Sequence, residues 1–445
     1  MNEVRPAAEL PADAPKVAVA IVGAGACGLT AAIALRDAGI DCALIERDAV
    51  PSGSTALSSG FIPAAPTRWQ REAGVDDSAE AFDADIQAKA RGTAAPALVA
   101  AYTQASGPAL ARLAAHGLRF ELLDGFLYPG HHARRMHTLA ERTGAALVAA
   151  LDAAARAAGA DLLTDARVDR LFVDSAQRVH GIGFVRPDGT REALRCSALL
   201  LACNGFGGDR ALVGEWLPAL RDAPFAGHTG NDGTAIRFGR ALGAALADLG
   251  AAQGHGSWVV PQGALMTWAV MMQGGVQVNT EGQRFHDETG GYSEAAVAVL
   301  AQPGAIAFNV FDDRLLALAR EFPDFRAAEA AAAVRSAPDA RALAAALGCD
   351  ADTLAATLAG TALVPPLHAV KVTGALFHTQ GGLAIDARCR VLREGGGTLP
   401  NLLAAGGAAR GVSGNAIWGY LSGNGLLSAV AGGFIAARTL TEELS

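Results

Sequence analysis

Three short, nearly unbroken apolar runs stand out along the chain, at residues 17–22, 198–202 and 402–405. Runs of this kind, rich in Val and Leu and closed by glycine, predict strands buried on both faces of a parallel sheet. Each opens into glycines: Gly23-Ala24-Gly25-Ala26-Cys27-Gly28 after the first, Cys203-Asn204-Gly205-Phe206-Gly207-Gly208 after the second, and Gly406-Gly407 after the third. Beyond the first turn the period changes, with Leu29, Ala32, Ile33 and Leu35 on one face of a helix over 29–38 that Gly39 can end. A strand over 42–45 then runs into Glu46, completing one βαβ unit.

The texture differs over 253–372. Short β-like pieces at 258–260, 269–272 and 275–278 precede alanine-rich helical runs ending at Gly348 and Gly360, with Asp339 and Asp352 as their expected caps. The expected fold class is therefore α/β, a Rossmann-like domain split into 16–252 and 373–445 around an inserted α+β domain, 253–372. No internal repeat of fixed period is visible.

Composition narrows the class. With 51% hydrophobic and 18% charged residues over 445 positions, the chain can bury a large core, which excludes disorder and a small disulfide scaffold. A net charge of −8 argues against nucleic acid as partner. The apolar run 426–437 is shorter than the roughly 20 residues that span a bilayer, and residues 1–15 lack the pattern of a signal peptide, so no stable membrane insertion is expected. Cys27, Cys42, Cys196, Cys203, Cys349 and Cys389 form no C-x-x-C pair, which predicts reduced cytoplasmic thiols and no metal site.

The glycine turn carries the first chemistry. Gly23 permits the tight turn, Gly25 lets a pyrophosphate approach the backbone and Gly28 lets helix pack on strand, while the helix N-terminus supplies free N–H groups to the phosphates. Glu46 stands 21 residues after Gly25, where a carboxylate can accept ribose hydroxyls. NAD and FAD sites look alike at this level. The small-residue loop over 51–65, with Ser54, Thr55, Ser59 and Gly60, then asks for a flat partner.

At this point the sequence resembles the flavoprotein family of fumarate reductases, succinate dehydrogenases and 3-ketosteroid dehydrogenases. The resemblance rests on that loop, on Arg142-Thr143-Gly144, on 201–207, 227–233 and 279–285, on His378-Thr379-Gln380-Gly381-Gly382, and on the closing segments 402–407 and 419–425, all in the family's order. It implies a glutathione-reductase-like, FAD-binding domain whose inserted domain caps the flavin. Its FAD contacts would come from Gly23, Gly25, Gly28, Glu46, Ser54, Thr55, Ser59, Gly60, Asn204, Gly205, Gly406, Gly407, Leu421 and Ser422. The histidine that carries covalent FAD in some members is Ser54 here, so the FAD is expected to be non-covalent. Gly407 replaces an acid usual in the family, and Asn204 a glycine.

His255, in Gln253-Gly254-His255-Gly256-Ser257, and His378 resemble the pair that holds a substrate carboxylate in fumarate reductases. The arginines that such reductases use are missing: Tyr292 follows Arg284-Phe285-His286-Asp287-Glu288, and residues 413–425 contain Tyr420 but no arginine. Ketosteroid dehydrogenases carry a ketone-polarising tyrosine at the position of Tyr420, and tricarballylate dehydrogenase-like proteins share a similar loop, which keeps an acid substrate open. Abstracting hydrogen across a CH–CH bond beside a carbonyl needs a base, a hydride acceptor and donors to the developing enolate. Tyr292 and Tyr420 are the candidates for proton transfer and polarisation. The expected partners are a small carbonyl or carboxylate substrate and a separate electron acceptor or donor. Fumarate-type reduction and a non-catalytic flavin-binding subunit are the alternatives. Arg134, Arg135 and His137 read as a solvated basic loop or a flavin-side contact, and His131, His132 and His137 make a poor metal set.

Overall fold

Lys16–Val22 is paired in parallel with Cys42–Ile45 on one side and Arg191–Leu201 on the other, in the middle of a nine-stranded sheet. The computed structural model describes residues 3–125 and 127–445. Asp161–Leu163 extends the sheet beyond Cys42–Ile45, and Thr398–Ala404 joins Arg191–Leu201 in parallel register, Leu199 opposite Leu402. The three apolar runs thus lie side by side because each is buried on both faces. Val19, Ile21, Leu199, Leu200, Leu402 and Leu403 are fully buried.

The helix Ala26–Asp37 follows Lys16–Val22 and packs on the last helix, Asn424–Leu444. That contact needs a glycine: a Cβ on Gly433 would lie 2.3 Å from the carbonyl oxygen of Cys27. The C-terminal helix is longer than the apolar run 426–437 because its polar end, with Arg438, Glu442 and Glu443, continues the same periodicity. Among the described residues no helix is long and apolar enough to cross a membrane.

A second sheet is built from Ala252–Val259, Ala264–Leu265, Val276–Asn279, Ala307–Asp312, Val334–Ala337 and Leu367–Thr379. The chain enters it along Ala252–Val259 and leaves along Leu367–Thr379, which are antiparallel neighbours. The exit strand continues beyond residue 372 to Thr379, so this sheet reaches the glycines that follow.

Two local expectations are corrected. Ala269–Met272 is a helical turn rather than a strand: Trp268, Ala269, Val270 and Met271 are all buried, and an apolar run without alternation does not distinguish the two. Asp339 does cap its helix, accepting from the Ala342 N–H at 2.9 Å, but the second cap is Asp350, which accepts from Thr353, while Asp352 lies inside the first turn.

Candidate active site

One cleft of about 1920 Å³, counted out to its solvent mouth, runs from the first glycine turn to the second sheet. At its nucleotide end Glu46 is nearly buried, and its carboxylate accepts from Ala24 N–H at 2.7 Å and Asp48 N–H at 3.0 Å. The Thr55 hydroxyl accepts from Ala26 N–H at 3.0 Å, tying the small-residue loop to the start of the first helix. That helix is N-capped by Gly25, which has no side chain of its own, and beyond the Thr55 contact its N-terminus, with Gly25, Ala26 and Cys27, lines the cleft. A Cβ on Gly23 would lie 2.6 Å from the Ala202 carbonyl oxygen, so the turn closes on the end of Arg191–Leu201 only with glycine there. A backbone cradle, a helix N-terminus and a buried carboxylate at this spacing fit a dinucleotide.

At the other end, Tyr292 and Tyr420 face each other with ring centroids 6.1 Å apart. Tyr292 begins the helix Tyr292–Leu300 in the second sheet's half, and Tyr420 precedes Asn424–Leu444 in the first. Burial raises both phenols well above the ordinary tyrosine value, Tyr420 to about 12. The backbone N–H groups of Gly425 and Gly423 and the Tyr292 hydroxyl pull Tyr420 partly back, and the Ser422 hydroxyl does the same for Tyr292. The Gly425 N–H lies 3.5 Å from the Tyr420 oxygen. His255 stacks on Tyr292, with Trp268 edge-on to the imidazole. Burial lowers His255 to about 3, so it is neutral, and because its Nδ1 accepts from Ser257 N–H the proton sits on Nε2. The cleft is also lined by Phe61, Tyr128, Trp268, Phe322 and Phe377.

The model of the FAD binding domain family matches residues 18–426 of this chain. The chain belongs to this FAD-binding family of oxidoreductases. It is 27% identical to the NADH:fumarate oxidoreductase of Klebsiella pneumoniae (strain 342) over 94% of its own length, and spans about half (47%) of that relative. Among solved structures, an open flavocytochrome c3 fumarate reductase superposes with a TM-score of 0.82 at 25% identity, covering 96% of this chain and 78% of that one. The 3-ketosteroid-Δ4-(5α)-dehydrogenase of Rhodococcus jostii RHA1, solved with 4-androstene-3,17-dione, gives 0.79 at 25% identity, covering 99% and 100%.

Of the residues expected at the FAD, Gly23, Gly25, Glu46, Ser54, Thr55, Ser59, Gly60, Asn204, Gly406, Gly407 and Ser422 line the cleft, together with Tyr292, Tyr420, His255 and His378. Three do not. Gly28 lies behind the turn, where a Cβ would meet the Gly23 carbonyl oxygen at 2.0 Å; Gly205 leaves room for the Thr379 hydroxyl; Leu421 is fully buried in the core. Asn204 takes a left-handed φ of 64°, which accounts for a glycine being compatible at this position. Its Oδ1 and His378 Nε2 fill the place of a side chain at Gly407, 2.1 and 2.8 Å from a Cβ there. Gln380 donates to His378 Nδ1 at 2.7 Å, which leaves the Nε2 proton directed at this spot beside Gly407.

The basic loop is a correction. Arg135 is not solvated but buried, bonded to Asp77 at 2.7 and 2.8 Å and to Asp85. His137 is also buried, between Thr67 and the Arg135 carbonyl. His131, His132 and His137 diverge onto Ser422, Asp85 and Thr67, respectively. Residues that sequence reasoning missed include Arg47 and His228 at the nucleotide end, where His228 pairs with Asp48 at 3.0 Å and Arg47 donates to the Gly230 carbonyl at 2.6 Å. Their signal was present but unread: Arg47 directly follows Glu46, and His228 stands in the glycine-marked segment 227–233.

Proposed function

We propose that this protein is an FAD-dependent dehydrogenase or ene-reductase of a CH–CH bond next to a ketone, with Tyr292 and Tyr420 as the proton-transfer and carbonyl-polarising pair. The observation that carries this reading is the tyrosine pair itself, set in an aromatic cleft beside neutral His255. FAD bound in the cleft supplies the two-electron acceptor for the hydrogen leaving the β-carbon. Tyr420, with the Gly425 N–H beside its oxygen, donates to the carbonyl as negative charge develops on it. Tyr292, toward which the Ser422 hydroxyl is directed, takes the α-proton. In the reducing direction the same phenol returns that proton.

Fumarate-type reduction of an unsaturated acid is the less favoured reading. Among the described residues that line the cleft, the arginines are Arg47, next to Glu46 in the chain, and Arg167, next to Ala166 whose N–H bonds the Glu46 carbonyl, and the other charged lining residues, Glu46, Asp48 and Asp324, are acids. A dicarboxylate would enter with its charges unpaired, which costs several kcal/mol. Non-covalent FAD is part of the proposal, because Ser54 has no nucleophilic nitrogen and accepts instead from Asn231 Nδ2 at 2.8 Å. The second sheet acts as the cap, and electrons pass to or from a separate carrier. Anaerobic titration of the FAD-loaded protein with cyclohexanone, 4-androstene-3,17-dione and succinate tests the reading. Bleaching of the flavin by a ketone and not by succinate supports it, and bleaching by succinate alone rejects it.

A further inference from the structure

The helix Ala79–Lys89 is not part of the cleft wall, yet it grips the elements that carry both tyrosines. At its C-terminal end Lys89 reaches across to the second sheet's half, donating to the Gly290 carbonyl at 2.8 Å and pairing with Glu294. These residues frame the first turn of Tyr292–Leu300. Its N-cap, Gly291, has a φ of 129°, and a Cβ there would lie 3.1 Å from Lys89 Nζ and 2.8 Å from Glu294 Oε2. The ammonium therefore sits directly on the turn that starts with Tyr292, and the Lys89 side chain is only 13% exposed.

One turn earlier, Asp85 binds Arg135 and His132. Arg135 lies 3.4 Å from His131 Nδ1, and His131 Nε2 donates to the Ser422 carbonyl at 2.9 Å. The loop that holds Tyr420 is thus fixed to the same helix. Packing joins the two arms, since a Cβ on Gly130 would touch Leu421 Cδ1 at 2.8 Å and Lys89 Cδ at 3.8 Å. Glu294 leans on Lys89: its Oε2 is buried without a hydrogen-bond partner, and Lys89, which bonds its other oxygen, is the larger of the two cationic influences on the carboxylate, Arg91 being the other.

We propose that Lys89 is a positioning residue: it seats Tyr292 against Tyr420 and holds the second sheet's half closed over the cleft. The two tyrosines come from elements joined to different sheets, and their separation is set by how those halves dock rather than by either sheet alone. A helix that binds both sides within one turn converts that docking into a fixed phenol–phenol geometry. Displacing a reacting group by about 1 Å is enough to cost about 10²-fold in rate. The inference rests on the reading of Tyr292 and Tyr420 as the reacting pair.

The test uses the FAD-loaded protein with Lys89→Met and Lys89→Arg. Amide hydrogen exchange over residues 288–296, measured with no substrate present, is expected to quicken in Lys89→Met and to return toward the parent in Lys89→Arg, with FAD content unchanged in both. In stopped-flow reduction by cyclohexanone or 4-androstene-3,17-dione, Lys89→Met is expected to lose about 10²-fold in limiting rate with little change in half-saturation, and Lys89→Arg to recover most of it. Parent exchange and parent limiting rate in Lys89→Met overturn the proposal, as does a loss of FAD that Lys89→Arg fails to restore. Tyr292→Phe and Tyr420→Phe run alongside keep the two claims apart: if they retain the parent rate the reading of the pair fails, and if they lose it while Lys89→Met does not, only the role of Lys89 fails.

Discussion

His255 lies flat on Tyr292, with ring centroids 4.7 Å apart and planes 18° from parallel. The stack fixes the phenol's plane, and burial keeps the imidazole uncharged down to about pH 3. His255 therefore offers an Nε2–H donor without a cation, which suits a neutral carbonyl ligand. His255→Ala is expected to raise the half-saturation for a ketone about tenfold, the value of one neutral hydrogen bond, while FAD content stays at the parent level. Flavin difference spectra on ketone titration measure both.

Gly407 has no room for a side chain. In Gly407→Ala the new Cβ would meet Asn204 Oδ1 at 2.1 Å and His378 Nε2 at 2.8 Å, so one of them must move into the FAD cleft. FAD affinity, read from flavin fluorescence, is expected to fall about tenfold or more. Asn204→Gly in the same chain removes the nearer obstacle and tolerates the left-handed backbone at 204, so the double variant is expected to bind FAD more tightly than Gly407→Ala alone.

The pair Arg135–Asp77 has no exposed side-chain surface. Removing the guanidinium leaves two carboxylates, fully buried Asp77 and largely buried Asp85, without their shared cation. Arg135→Met is expected to destabilise the fold by about 3–5 kcal/mol, measured as a lower urea midpoint, whereas Arg134→Met, at a half-exposed pair with Asp124, is expected to change it by less than about 1 kcal/mol.

The pH dependence follows from the raised phenols. With Tyr420 near 12 and Tyr292 also raised by burial, both are protonated at neutral pH. A dehydrogenation that needs a phenolate gains about tenfold per pH unit through the neutral and mildly alkaline range, and ene reduction, which needs the protonated phenol, stays flat there. Limiting rates of flavin reduction and reoxidation across that range check both slopes.

How much of this was legible in the sequence depends on the range of the interaction. The parallel core was readable because Val19, Ile21, Leu200 and Leu403 are buried on both faces and leave unbroken apolar runs. Glu46 could be placed on the cleft because it ends the βαβ unit at a fixed spacing from the first glycine turn, and Ser54, Thr55, Tyr292 and Tyr420 because they fall in ordered motifs. Arg135 was misread as a surface group, since its partners Asp77 and Asp85 lie some fifty residues away in the chain and nothing local marks them. Residues 269–272 misled for a different reason: a segment buried all round carries no period. Lys89 was invisible for the first reason, because Gly290 and Glu294 are some two hundred residues distant.

The most direct measurement is the anaerobic reduction of bound flavin by a saturated cyclic ketone in the parent, Tyr292→Phe and Tyr420→Phe proteins. On the proposed reading each variant lacks a group that moves or shares a proton in the transition state, a loss of about 10²–10⁴ in rate. Both are expected to stay yellow with parent FAD content, and Tyr292→Phe to keep ketone binding while its flavin is reduced at least about a hundredfold more slowly. Reduction of both phenylalanine variants at the parent rate would contradict the assignment of the tyrosine pair.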